Sequence, residues 1–132
     1  MEELIARVSS AAGIESDLAS KSVGIILSFL RKEAPADAVA KVMQALPGAQ
    51  EAADAADAAH QKSSGFSLGG LVSAVGGGGG LMGLAASLSS AGLGMGDMQS
   101  VGKELFAAVG EKAGPEAVGA IAGAIPGLHQ FI

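Results

Sequence analysis

Residues 63–96 read SSGFSLGGLVSAVGGGGGLMGLAASLSSAGLGMG, with five glycines in a row at 76–80 and no charged side chain. Segments of ordinary helical pattern flank this stretch, and the two flanks resemble each other, so its reading decides how the chain is assembled. Gly76 to Gly80 cannot sustain a helix, since their summed propensity costs on the order of 5 kcal/mol relative to five alanines. A break is expected there, with the glycines as a flexible connector between helical pieces. The stretch is long enough to span a bilayer, and Gly65/Gly69, Gly76/Gly80 and Gly79/Gly83 have small-xxx-small spacing. The glycine run would interrupt any spanning helix, however, and the apolar pieces beside it are too short to cross alone, which disfavours insertion. Beyond the run, Leu81, Met82, Leu84, Leu88, Leu93 and Met95 offer apolar side chains among Ala, Ser and Gly. Leu and Met adapt to irregular surfaces. These six residues are the candidate contact with a protein partner or a second copy of the chain.

Upstream, Leu4, Ile5, Val8, Ala11 and Ala12 recur at helical spacing and end at Gly13, a C-terminal stop. Ser16 suits an N-cap for a second helix with Asp17 in its first turn. There Leu18, Ser22, Ile25, Ile26, Phe29 and Leu30 share a face, opposite Ser20, Gly24, Ser28 and Arg31. Pro35 ends that helix near Ala34 and suits the first turn of the next. Val39, Val42, Met43 and Leu46 stripe this third helix, closed by Pro47-Gly48. The following AQEAADAADAAHQK is rich in helix-favouring alanine. Its Glu51, Asp54, Asp57 and His60 recur every three residues and wind around the helix, which predicts a solvated, weakly anchored segment.

Downstream the pattern returns. Asp97 can cap a helix with Met98, Val101, Leu105, Phe106 and Val109 on one face, broken at Gly114-Pro115. Moving Val39, Val42, Met43, Leu46, Pro47 and Gly48 forward by 79 positions lands on Val118, Ile121, Ala122, Ile125, Pro126 and Gly127. Ser9-Ser10-Ala11 foreshadows Ser89-Ser90-Ala91, and Gly13-Ile14 foreshadows Gly92-Leu93. The expected architecture is an all-α single domain over residues 1–132, built from two duplicated helical units joined by a Gly-rich segment. The first unit covers 1–48, the Ala-rich helix and Gly-rich connector 49–92, and the second unit 93–132. Two copies are too few for a solenoid, and neither could bury its own stripes, so the units should pack face to face. Gly24, Gly102, Gly119 and Gly123 weaken their helices, and close helix–helix approach is the expected compensation.

At these turns the sequence resembles a Vcg-type family of small bacterial proteins with no assigned function. The matching residues are Gly13-Ile14, Ala45-Leu46-Pro47-Gly48, the Gly-rich centre, Gly92-Leu93 and Lys112-Ala113-Gly114, spread over nearly the whole chain. The chain departs from that pattern in closing its second half with Ile125-Pro126-Gly127 and an apolar tail. The resemblance implies a helical fold and supplies no catalytic residue.

Composition removes several functions. The 132 residues carry a formal net charge of −5 and no Cys, Trp or Tyr. A chain of that charge has no broad basic surface for phosphate backbones, and four Phe are its only aromatics, so no nucleic-acid partner is expected. The lack of Cys excludes disulfides, thiolate nucleophiles and Cys-based zinc sites, and fits a reducing, cytoplasmic compartment. Glu2 and Glu3 stand where a secretory leader would place Lys or Arg, so no cleavable leader is expected. Asp54, Asp57 and His60 lack the i, i+4 spacing that brings metal ligands to one face. His129 lies between Leu128 and Phe131 in an apolar tail and reads as a surface residue. The glycine run is followed by Leu81-Met82 rather than Lys-Ser or Lys-Thr, so it is no phosphate loop. No nucleophile, acid–base pair, metal site or cofactor site is assigned. The chain reads as a non-enzymatic interaction or self-association module, with membrane association through the apolar centre as the alternative.

Overall fold

The structure is a computed structural model that describes residues 2–63, 80–125 and 127–130. The expected break at Gly76 to Gly79 lies outside these residues, while Gly80 opens a helix. The described residues form seven α-helices and a short 3₁₀ turn, with no strand among them. These are α1 (Glu2–Ala12), α2 (Ser16–Glu33), α3 (Ala36–Ala45), α4 (Ala49–Ser63), α5 (Gly80–Ala91), α6 (Met95–Lys112) and α7 (Pro115–Ala124), followed by the turn Leu128–Gln130. The chain is therefore all-α.

Turn chemistry sets the helix ends. Gly13, at φ +67°, closes α1, and the Ile14 N–H reaches back to the Ser9 carbonyl at 3.1 Å. Gly92, at φ +110°, closes α5, where the Leu93 N–H reaches the Leu88 carbonyl at 3.1 Å. Both are the six-to-one closure of a helix by a left-handed residue, a conformation that glycine adopts without strain. Gly48 and Gly127, at φ +89° and +83°, follow Leu46 and Ile125, each of which ends its helix in extended backbone. Two caps differ from expectation. Ser16 is the first helical residue of α2, with Glu15 at the cap and no capping side chain. Asp97 lies inside the first turn of α6, where its carboxylate accepts the Gly94 N–H at 3.1 Å. A carboxylate there also meets the positive end of the helix dipole.

The spacing of 79 runs through these elements. Ser16–Glu33 and Met95–Lys112 are so related, as are Ala36–Ala45 and Pro115–Ala124. Packing crosses between the halves: α1 lies chiefly against α6, α5 lies against α2, α2 touches α6, and α3 touches α7. Arg7 on α1 adds ion pairs to Glu104 at 3.2 Å and Glu111 at 3.0 Å on α6. The buried residues form one hydrophobic cluster that includes Val8, Leu27, Leu30, Leu46, Leu105 and Ile121. The predicted stripes enter it: Met98, Val101, Leu105, Phe106 and Val109 of α6 are all buried.

Helix α4 corrects the sequence reading. It is not solvated on every side, because it packs along α2, with Ala49 and Ala53 both fully buried. The α2 face expected to lie away from the core is the face it covers. A β-carbon added at Gly24 would stand 2.6 Å from the Ala52 carbonyl oxygen, so the two backbones meet there as closely as glycine allows. The compensation expected for Gly24 is thus realised. At Gly119 and Gly123 it is not: both are exposed on α7, and an added β-carbon would meet nothing within 4 Å. Gly102 is buried in α6.

Candidate interaction surface

The six residues expected to form a contact surface separate in the structure. Leu84 and Leu88 lie on the inward side of α5 and Leu93 in the turn after it, with 8%, 3% and 4% of their surface exposed. They belong to the chain's own core rather than to a free face. The physical reason is the crossed packing: α5 covers α2, so its leucines fill the space over Ile26, Phe29 and Leu30. Met95 behaves differently. It is the first residue of α6, held between Gly94 and Gly96, and 74% exposed, the one large exposed hydrophobic side chain among the described residues. The side chains of Leu81 and Met82 lie outside the described ones.

Where α5, α2 and α6 meet, a void of about 20 Å³ remains, lined by Phe29, Leu84, Leu88, Met98 and Phe106 among others. That is room for about one water, but a buried water needs two to four polar partners and the lining offers almost none. The void is a packing gap, far below the few hundred cubic ångströms of a small-molecule site.

The densest polar cluster joins α2 to α4. The Arg31 guanidinium donates to Asp54 at 2.6 Å and to Asp57 at 2.8 Å, Lys32 stands 3.5 Å from Asp57, and the Ser28 hydroxyl donates to Asp57. Residues three apart are neighbours on a helix, so Asp54 and Asp57 present adjacent carboxylates to one guanidinium fork. Burial pushes the Asp57 carboxyl up, but the Ser28 hydrogen bond and the charges of Lys32 and Arg31 together outweigh it and hold the group below its ordinary value. The Asp54 hydrogen bond raises the Arg31 guanidinium. Both acids are therefore engaged by cations of the same chain. Among the described residues no three His, Asp or Glu converge as ligands. The His60 side chain lies outside the described ones, and His129 is exposed. Sequence reasoning missed this cluster. Its signal was present in the Asp-x-x-Asp spacing of 54 and 57, complementary to the Arg31-Lys32 pair.

No family model, curated protein or solved structure matches the sequence. The likeness carried by Gly13-Ile14 and Ala45-Leu46-Pro47-Gly48 thus stands on those residues by themselves.

Proposed function

We propose that this chain is a non-catalytic helical protein that works by contacting protein, and that a second copy of itself is the first partner to test. The observation that supports this reading is Met95, exposed at the start of α6 with a glycine on either side. Flanking glycines let another backbone come close, and an unbranched thioether side chain adapts to what it meets. With Leu84, Leu88 and Leu93 used internally, Leu81, Met82 and Met95 are what remain of the candidate contact. The cytoplasm is the proposed compartment, on the absence of Cys. No described helix is long and apolar enough to cross a membrane.

We also infer that the domain arose by duplication. The recurrence of helix limits, of left-handed glycines and of turn hydrogen bonds at a spacing of 79 supports this. On that reading the second unit begins with α5, the counterpart of α1, rather than at residue 93, and α4 is an addition to the first unit.

Light scattering across a concentration series tests self-association. The unmodified chain should gain mass as concentration rises, and Met95→Ser should shift that gain to higher concentration. A monomer at every concentration would end the self-association reading.

A further inference from the structure

Helix α4 is attached unlike the other described helices. From Ala49 to Ser63 it carries no Leu, Ile, Val, Met or Phe, so its apolar contribution is methyl groups, chiefly those of Ala49 and Ala53. Hydrophobic stabilisation scales with apolar area, so each such group holds far less than a leucine does. By contrast α1 buries Leu4 and Val8, and α5 buries Leu84 and Leu88. What α4 has instead is the close backbone approach at Gly24 and the cluster of Arg31, Lys32 and Ser28 with Asp54 and Asp57.

The surface under it is equally telling. Where α4 meets α2, the groups it touches include Gly24, Ser28 and the Arg31 head, which are small or polar. Among the described residues the matching place in the other half holds a short turn: Leu128 stands 79 positions beyond Ala49 and begins Leu128–Gln130.

We propose that α4 is a releasable latch: it is held on α2 by the Arg31–Asp54–Asp57 cluster and the Gly24 approach, and it undocks as a unit while the remaining helices stay folded. Elements with few buried apolar contacts open below the global unfolding energy, and partly exposed ion pairs weaken as salt screens them. The Arg31 and Asp54 side chains keep 32% and 60% of their surface in solvent, so salt reaches the cluster. Charge conditions, rather than core packing, then set how often α4 is released.

Amide hydrogen exchange on the full chain tests the latch. In low salt, amides in the second half of α4 should exchange faster than those of α2 and α6. Raising salt to about 1 M should accelerate α4 roughly tenfold relative to α6, and Arg31→Gln should do the same at low salt. Exchange of α4 at the pace of α2 and α6 would overturn the proposal, as would faster α4 exchange that answers to neither salt nor Arg31→Gln. Loss of the whole fold in Arg31→Gln would also overturn it, by showing that the cluster holds the domain rather than one helix. The salt series on the unmodified chain decides the matter without any variant.

Discussion

Gly13 and Gly119 carry the same absent side chain and should respond to alanine with opposite signs. Gly13 sits at φ +67°, where a β-carbon crowds the following carbonyl, so Gly13→Ala should cost about 1–2 kcal/mol even though the space around it is open. Gly119 and Gly123 lie within α7 with no positive φ and nothing within 4 Å of an added β-carbon. There alanine removes unfolded-chain entropy at no steric cost, and each replacement should stabilise by about 0.5–1 kcal/mol. Urea unfolding of the three variants checks both signs. A loss of stability at Gly119→Ala would reveal packing on that face of α7.

At the scale of elements, α2 is the helix with two working faces. One meets the core through Val23, Ile26 and Leu30, and the other receives α4 at Gly24 and Ser28. The acid response of this pairing follows from Asp57. Its carboxyl is held below its ordinary value in the fold, so its contribution is fully present above the unfolded value of about 4. That contribution fades as pH falls from there through the lowered folded value, because the unfolded chain then binds the proton more readily. Stability between pH 5 and 7 should therefore be flat with respect to this group and should decline below about pH 4. Asp57→Asn should remove part of that decline. Thermal melts of both proteins across that range measure it, and an unchanged acid slope in the variant would assign the decline to other carboxylates.

For the whole molecule, the crossed packing of α1 on α6 and α5 on α2 makes each half the cover of the other. Leu46 and Ile125 close α3 and α7 in the same extended conformation and are 1% and 2% exposed. Truncating either removes methyl groups from the shared cluster and leaves a cavity that close packing does not fully collapse. Leu46→Ala and Ile125→Ala should each destabilise by about 2–5 kcal/mol. Because the halves share one core, both variants should unfold in a single transition rather than losing one half first. Circular dichroism melts would show this, and two separated transitions would count against the shared core.

What the sequence determined by itself was local: the helices, their apolar stripes, and the turns at Gly13, Gly48, Gly92, Gly114 and Gly127. These depend on periodicity and on conformations that only glycine takes cheaply, and both are written in the order of residues. Tertiary structure alone decided which stripe meets which. Leu84, Leu88 and Met95 look alike in sequence as apolar residues on a weakly polar segment, yet the crossing of α5 over α2 buries the first two and leaves Met95 in solvent. The same holds for Asp54 and Asp57, whose spacing suggests a solvated helix until Arg31 on a neighbouring helix supplies the opposite charge. Pairing across 23 and 26 positions of chain depends on how helices dock, and helical periodicity carries no information about the partner.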